Sequence, residues 1–223
     1  KTYKCNFFNE MHVSKLIQSL ENKIDTVVGM VGVTGEDKEK LNNNLKFAKV
    51  MHKISSRIRA KKLIYFSTSA VYGLGGKFRE IDATNPITAY GQSKKKSEEY
   101  LLINSNKELK TTCLRIGNVA GADALLGGAV SNKLHNNNLK VDIFDDGCGP
   151  IRNYIGPKTL ARLILKMTDA NKDLPAIINV GGNVPIDMKD LVQTYGISWE
   201  PRKVRNNEFQ RIILDCKLLV SLF

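Results

Sequence analysis

One stretch decides the fold: residues 63–73 read LIYFSTSAVYG. It begins with a run of apolar residues and ends in a turn rich in hydroxyl groups. A second apolar run, TVVGMVGV at residues 26–33, shows no polar alternation. Such runs are typical of strands covered on both faces in a parallel sheet. We therefore predict two sheet strands, over residues 26–33 and 63–67.

Amphipathic stretches alternate with these strands. Leu41, Leu45, Ala48, Met51 and Ile54 recur at three- and four-residue steps and predict a helix over residues 38–59. Further helices are predicted over residues 89–104, 124–136, 157–168 and 216–223, and Asp187 is predicted to cap a short helix. Further strands are predicted over residues 111–116, 140–144 and 176–180. Strands that alternate with helices at this spacing predict an α/β protein with a parallel sheet.

The strongest chemical signal is the segment Tyr90-Gly-Gln-Ser-Lys94. Residues four apart on a helix lie on one face, so Tyr90 and Lys94 are predicted neighbours. An ammonium group beside a phenol favours the phenolate, and we expect Lys94 to lower the pKa of Tyr90. A tyrosine tuned in this way can transfer a proton to or from a substrate hydroxyl near neutral pH.

The segments around this pair occur in a recognisable order. They are DTVVGMVG at residues 25–32, Asn44, the stretch at residues 63–73, LRIGNVAG at residues 114–121, IRNYIGPKTL at residues 151–160 and INVGG at residues 178–182. Together with Tyr90 and Lys94 they resemble the extended short-chain dehydrogenase/reductase family, in its NAD-dependent epimerase/dehydratase branch. The resemblance covers most of the chain and implies a Rossmann-like, doubly wound parallel sheet with a small C-terminal substrate-binding cap.

The resemblance implies roles for individual residues. Thr68, Tyr90 and Lys94 are the implied catalytic residues, with Tyr90 as the acid/base and Lys94 as a contact to the nicotinamide ribose. The implied cofactor-binding residues are Met30, Val31, Gly32, Asn44, Ser67, Tyr90, Lys94 and Val119. The implied substrate-binding residues are Thr68, Asn118 and Arg152, of which Asn118 and Arg152 match positions that hold a diphosphate. A guanidinium suits that task because its fork pairs with phosphate oxygens.

The implied reaction is hydride transfer between a sugar carbon, usually C4, and NAD, with NADP not excluded. The substrate is a nucleotide-diphosphate sugar, and the enzyme is an epimerase or an oxidoreductase. The 4,6-dehydratases carry Asp-Glu directly after the catalytic Thr, whereas this chain has Ser69 and Ala70. Neither residue can act as a general acid or base at neutral pH, which disfavours a dehydratase. Two alternatives stay open: a non-catalytic, dehydrogenase-like binding protein for RNA or a partner complex, and a reductase of a small carbonyl.

The family pattern is incomplete in this chain. A first strand, GxxGxxG turn and first helix are not found, so the sequence predicts a Rossmann-like sheet lacking its first βαβ unit and favours a fragment that is inactive alone. The chain is expected to begin with a strand over residues 1–5 and a helix over residues 9–20. We expect a partial NAD-binding domain at residues 1–124 and 140–182, and cap elements at residues 125–139 and 183–223. Asn153 replaces the family's usual Asp, and Arg202, Arg205 and Arg211 are alternative candidates for a second phosphate contact.

The composition of the chain limits the kinds of partner and location that we expect for it. The net charge is +12, which suggests polyanions, yet the basic residues are scattered along the sequence and argue against nucleic acid. No run approaches the roughly 18–20 apolar residues of a membrane helix. The four cysteines show no CxxC spacing, so we predict reduced thiols, no metal site and a cytoplasmic location. The resemblance also implies a homodimer, formed partly by the helix that carries Tyr90.

Overall fold

The computed structural model describes residues 2–120 and 139–223, which fall into two compact units. The first unit comprises Lys1–Val71, Pro86–Arg115 and Met167–Ile178. The second unit comprises Tyr72–Asn85, Ile116–Lys166 and Asn179–Phe223. The units are defined by compactness, so the predicted division into an NAD-binding domain and cap elements stays a prediction.

Helices and strands alternate along most of the chain. The described helices, in chain order, are α1 (Glu10–Leu20), α2 (Lys38–Leu41), α3 (Asn43–Arg57), α4 (Ala89–Ile103), α5 (Pro157–Asp169), α6 (Met188–Thr194) and α7 (Lys217–Leu222). The described strands are β1 (Thr26–Gly29), β2 (Lys62–Thr68), β3 (Gly76–Phe78), β4 (Lys110–Ile116), β5 (Asn118–Val119), β6 (Leu139–Ile143), β7 (Ile151–Ile155), β8 (Ile177–Val180), β9 (Pro185–Asp187), β10 (Trp199–Lys203) and β11 (Arg211–Leu214). A 3₁₀ turn at Ser69–Val71 follows β2.

The main sheet has the strand order β1-β2-β4-β8. The pairing of β1 with β2 is parallel and sets Thr26 opposite Lys62. Leu63, Ile64 and Tyr65 of β2 are fully buried, as expected for a strand covered on both faces. The α/β class predicted from the alternating apolar runs is confirmed.

The core of the first unit forms between α3 and this sheet. Ala48, Met51 and Ile54 on one face of α3 pack in a cluster with Leu63 and Tyr65 of β2. α4 begins at a side-chain cap, because the Thr88 hydroxyl accepts a hydrogen bond from the Gly91 N–H at 3.0 Å. The two helices that carry Asn44 and Tyr90 are thereby fixed at their apolar faces and at one terminus.

The second unit contains two further sheets. One has the order β3-β11-β7-β5, with β9 paired to β7, and the other joins β6 to β10. The described pairings of β5, β7, β11 and β3 are parallel, whereas β7 and β9 are antiparallel. Asn153 of β7 joins these strands: its amide donates to the Gly182 carbonyl and accepts from the Leu214 N–H, both at 2.7 Å.

Several predicted boundaries need correction. The expected strand at residues 1–5 is wrong over residues 2–5, which form no strand, although a helix does follow at Glu10–Leu20. The strand expected over residues 26–33 ends at Gly29. The helix expected over residues 38–59 is divided at Asn42 into α2 and α3. The helix predicted at residues 124–136 lies outside the described residues.

Candidate active site

The chemistry of the first unit centres on the amino-terminal turns of α4. Gly91 allows this helix to approach the turn after β2, since a Cβ added there would lie 2.5 Å from the Ala70 carbonyl oxygen. The approach brings Tyr90 of α4 close to Thr68 at the end of β2, whose hydroxyl lowers the pKa of the phenol. The Thr68 oxygen also accepts a hydrogen bond from the Ala70 N–H at 3.2 Å. Two of the predicted catalytic residues therefore meet.

The pKa of Tyr90 corrects an expectation. Burial of the phenol raises the pKa of Tyr90 above its usual value, and the hydrogen bond from Thr68 lowers it by a smaller amount. The spacing of Tyr90 and Lys94 predicted the opposite direction. The reason is desolvation, which penalises the phenolate and which residue spacing alone does not reveal. The phenol of Tyr90 is therefore protonated at neutral pH in this arrangement.

Lys94 is a buried cation, with 3% of its surface exposed. Its ammonium group donates to the Tyr65 hydroxyl at 2.8 Å and to the Phe66 carbonyl. It also lies 4.1 Å from the centre of the Tyr65 ring, a favourable cation–π distance. Burial lowers the pKa of Lys94 to about 8, while the nearby Cys113 and Glu98 raise it by smaller amounts. Lys94 is thus held in place by β2, the strand that ends at Thr68.

Asn44 fastens the segment after β1 to α4. Its side-chain oxygen accepts from the Val33 N–H at 2.7 Å, and its amide donates to the Val33 carbonyl at 2.9 Å and to the Ser93 hydroxyl at 2.8 Å. This side chain satisfies both backbone groups of Val33, four residues after β1 ends. A Cβ added at Gly32 would lie 3.3 Å from the Asn44 oxygen and 3.8 Å from the Lys94 nitrogen. Gly32, Asn44 and Lys94 therefore form one group.

The remaining predicted cofactor residues of the first unit differ in exposure. Ser67, next to Thr68, is buried, and its hydroxyl has no hydrogen-bond partner within residues 2–120 and 139–223. A buried hydroxyl without a hydrogen-bond partner lowers the stability of the folded protein, and a bound polar ligand that pairs with it removes this penalty. Met30 is 69% exposed, whereas Val31 is half-buried against the core of the first unit.

The predicted substrate residues belong to the second unit. Asn118 and Val119 form β5 and pair with Tyr154 and Ile155 of β7. Arg152 donates from its guanidinium to the carbonyl oxygens of Ile151, Gln210 and Phe209, at 2.7–2.9 Å. Burial lowers the pKa of Arg152 to about 10, which leaves it charged at neutral pH. These carbonyls orient the guanidinium, and its predicted contact with a diphosphate stays a prediction.

The first unit also holds a buried ion pair beside Lys94. Arg115 of β4 donates to Glu98 of α4 at 2.9 Å, and both side chains are at most 5% exposed. This pair anchors α4 to β4, because an isolated charge at that depth is strongly destabilising. Among the residues that the structure describes, no group of three histidine, cysteine or acidic side chains could hold a metal ion. No helix in the same residues is long and apolar enough to span a membrane.

The sequence profile of the NAD dependent epimerase/dehydratase family matches residues 1–181. This chain belongs to that family. A relative from Arabidopsis thaliana, described as a probable UDP-arabinose 4-epimerase 3, is 35% identical over 112 residues, which is 46% of this chain and 27% of the relative. A second, described as a putative UDP-arabinose 4-epimerase 4, is 39% identical over 71 residues, 30% of this chain and 16% of the relative. The matches therefore span about a quarter or less of the curated relatives.

Solved structures show the same fold as this family member. The UDP-glucuronic acid 4-epimerase from Bacillus cereus, in complex with UDP-glucuronic acid and NAD, has a TM-score of 0.76 and 22% identity, over 97% of this chain and 73% of that chain. The UDP-glucose 4-epimerase of Thermus thermophilus, in complex with NAD, has a TM-score of 0.77 and 20% identity, over 97% of this chain and 76% of that chain. The Rossmann-like fold predicted from the sequence is confirmed.

Residue spacing missed two side chains at this family member's site. Ser93 receives the Asn44 amide, and Tyr65 holds the Lys94 ammonium group. The role of Tyr65 could have been suspected from the sequence, because a tyrosine inside an apolar strand needs a hydrogen-bond partner for its hydroxyl. Ser93 stands directly before Lys94, but nothing in its spacing indicates a contact with Asn44, 49 positions away in sequence.

Proposed function

We propose that this chain supplies the proton-transfer residues of an NAD-dependent 4-epimerase that acts on a nucleotide-diphosphate sugar. The observation that carries the proposal is the position of Thr68 beside Tyr90, where its hydroxyl lowers the pKa of the phenol, with the buried cation of Lys94 one helical turn further along α4. Family membership supports it, as does the similarity to relatives described as UDP-arabinose 4-epimerases.

The side chains of the first unit suit a dinucleotide. Ser67 offers a buried hydroxyl without a partner among the described residues, and Gly32 leaves space beside Asn44 and Lys94. We propose that these residues hold NAD, together with the predicted contacts of Met30, Val31 and Val119. When bound, NAD accepts a hydride from the substrate and returns it. Nothing in this arrangement separates NAD from NADP.

Tyr90 is the proposed acid/base. Its phenol is protonated at neutral pH, because burial raises the pKa of Tyr90. In that form it can donate a proton to a developing sugar oxyanion. To accept the proton of a sugar hydroxyl it must first ionise, and a nearby positive charge favours that step. Lys94 is the proposed source of this charge, and the Thr68 hydroxyl would stabilise the phenolate by donating a hydrogen bond to it.

The substrate class follows from the second unit and from the relatives. We propose that Arg152 and Asn118 contact the diphosphate, since the guanidinium stays charged at neutral pH. Ser69 and Ala70 supply no acid or base after Thr68, so the proposal is epimerisation rather than loss of water. The relatives described as UDP-arabinose 4-epimerases make a UDP-pentose the first substrate to test. A homodimer and a cytoplasmic location are further parts of the proposal, supported by the resemblance and the cysteine pattern respectively.

The test is an NMR assay of the protein that carries this chain, expressed from its complete reading frame. UDP-arabinose is supplied with NAD, and inversion at C4 is followed by the appearance of UDP-xylose. UDP-glucose and UDP-glucuronic acid serve as comparison substrates. Inversion without net NADH formation supports the proposal. Stoichiometric NADH with no inverted sugar would instead assign an oxidoreductase, and no reaction with bound NAD would favour a non-catalytic binding protein.

A further inference from the structure

The guanidinium of Arg152, in the second unit, has hydrogen-bond donors that the protein does not use. Its bonds to the carbonyl oxygens of Ile151, Gln210 and Phe209 involve only the two terminal nitrogens, Nη1 and Nη2. A guanidinium has five N–H donors, so at least two of them, including Nε–H, have no partner within residues 2–120 and 139–223. These donors are available to a ligand, and the bonded donors fix the direction in which they point.

Two of the three carbonyls belong to the segment that leads into β11. Gln210 directly precedes this strand, and its backbone oxygen accepts from the Ile151 N–H at 2.6 Å and from Arg152 at 2.9 Å. The Phe209 oxygen accepts from Nη2 at 2.7 Å. The third carbonyl belongs to Ile151, the residue before Arg152 in the chain. The direction of the guanidinium therefore depends on where Phe209 and Gln210 are held.

A side-chain contact holds this segment against the turn between β6 and β7. The side-chain amide of Gln210, which is 7% exposed, donates to both carboxylate oxygens of Asp146 in that turn, at 2.8 Å. The bond from Gln210 is the main cause that lowers the pKa of Asp146 below its usual value, followed by the bond from the Cys148 N–H. The carboxylate is therefore ionised at neutral pH, and a hydrogen bond to a charged acceptor is stronger than one between neutral groups.

We propose that Asp146 and Gln210 are positioning residues that hold Arg152 in the direction needed to contact the substrate diphosphate. The inference rests on the proposed function, in which Arg152 makes that contact. Neither positioning residue touches the substrate in this role, because Asp146 acts on Gln210 and the backbone of Gln210 acts on the guanidinium. A cation that is already oriented loses less conformational entropy when the ligand binds. The pair should therefore affect KM rather than kcat.

The test measures the affinity for UDP by calorimetry, on the NAD-loaded protein expressed from its complete reading frame. Gln210→Met removes the amide with little change in volume, and Asp146→Ala removes its acceptor at an exposed position. Arg152→Met measures the contact itself, and its combination with Gln210→Met completes a double-mutant cycle. The matched control is Gln193→Met, the same substitution at an exposed residue of α6. Thermal unfolding verifies that each variant folds, and Asp146→Ala decides the matter if Gln210→Met does not.

The expected result is a loss of UDP affinity that is transmitted through Arg152. Arg152→Met should weaken binding about tenfold or more, and Gln210→Met and Asp146→Ala about fivefold or more. Gln193→Met should change it less than about twofold. In the Arg152→Met background, Gln210→Met should have less than about a twofold further effect. Asp146→Asn keeps one acceptor oxygen for the amide and should retain about half or more of the wild-type affinity. The KM for a UDP-sugar should rise in parallel, with kcat changed less than about threefold.

Two results would overturn the positioning role and leave the contact of Arg152 in place. One is an affinity for UDP that Arg152→Met weakens but Gln210→Met and Asp146→Ala leave unchanged. The other is equal weakening by Gln210→Met with and without the guanidinium, which would show a general effect on the structure. If Arg152→Met itself leaves the affinity unchanged, the diphosphate contact in the proposed function is wrong, and the positioning role is wrong with it.

Discussion

Lys94 shows how the fold prepares a residue at a cost in stability. Its ammonium group is buried, and its pKa falls to about 8 from a usual value of 10.5. Between these two values the unfolded chain binds more protons than the folded chain, so folding stability rises with pH in that window. Below about pH 8 the full cost of burying the charge is present. Lys94 is therefore a functional group whose burial lowers the stability of the folded protein.

This linkage gives a prediction for Lys94→Met. The stability of the wild type relative to this variant should increase by about 1–3 kcal/mol between pH 7.5 and pH 10.5. Urea unfolding at both pH values measures it, with the exposed Lys96→Met as the control. A difference between wild type and Lys94→Met that stays constant with pH would show that burial does not lower the pKa of Lys94 in the folded protein, and would contradict the prediction.

Tyr65 is expected to position Lys94. Tyr65→Phe removes the hydroxyl that accepts from the ammonium group at 2.8 Å and leaves the ring in place. Losing an acceptor for a buried cation should lower the pKa of Lys94 by about one further unit. The Cε chemical shift of ¹³C-labelled Lys94 reports this titration. Tyr72→Phe, another buried tyrosine that donates to Asn179, should leave it unchanged, and an unchanged titration in Tyr65→Phe would contradict the role.

At this scale the sequence predicted which residues meet better than it predicted their charge states. Tyr90, Lys94 and Thr68 were predicted from spacing and resemblance, and the structure places Thr68 beside Tyr90. The rise in the pKa of Tyr90 was not predicted. It results from desolvation, which depends on the residues that cover the side chain, and the sequence does not show which residues these are. The role of Tyr65 was not predicted for a similar reason, since its hydroxyl accepts a hydrogen bond from Lys94, 29 positions later in the sequence.

Among the elements, α4 depends on a close approach at Gly91. A Cβ there would lie 2.5 Å from the backbone oxygen of Ala70, so Gly91→Ala must displace the helix start that carries Tyr90. We expect a loss of about 1–3 kcal/mol in unfolding free energy. Gly156→Ala is the matched control, because the nearest atom to its added Cβ is 3.9 Å away, and it should change stability by less than about 0.5 kcal/mol. Urea unfolding of the two variants compares them, and equal stabilities would contradict the close packing.

Asn153 explains one departure from the family's usual sequence. Its amide is a donor to Gly182 and an acceptor from Leu214, and an aspartate can perform only the second task when ionised. Asn153→Asp should therefore destabilise the second unit by about 1–3 kcal/mol at pH 7. Thermal unfolding would measure this, with the exposed Asn183→Asp as control. A variant as stable as the wild type would mean that the Gly182 carbonyl finds another donor.

The strands of the second unit could not be predicted as well as those of the first. β2 is a continuous apolar run, and its burial on both faces leaves a clear signal. By contrast, β3 and β9 each have three residues, and β10 is mostly exposed. Their positions are set by partners distant in sequence, such as β7 for β9 and β6 for β10. Sequence periodicity does not report such pairings.

For the whole molecule, the fold was predicted mainly from the order in which the segments that resemble the family occur along the sequence. The family match over residues 1–181 and the similarity to solved epimerases agree with the predicted fold. The net charge of +12 looked evenly spread along the chain, yet packing of α2 and α3 against α4 gathers Lys38, Lys46, Lys49 and Lys96 in one groove. Side chains on different helices become neighbours only through tertiary structure, so the sequence could not indicate this groove.

The most direct test of the account is the turnover of Tyr90→Phe in the complete protein. The phenol is the proposed acid/base, so its removal should lower kcat by about 100-fold or more, as expected for the loss of general acid–base catalysis. NAD binding should remain within about twofold, since Ser67, Asn44 and Lys94 are unchanged. Tyr100→Phe on the same helix is the control. A Tyr90→Phe variant that keeps more than half of the wild-type turnover would contradict the central claim.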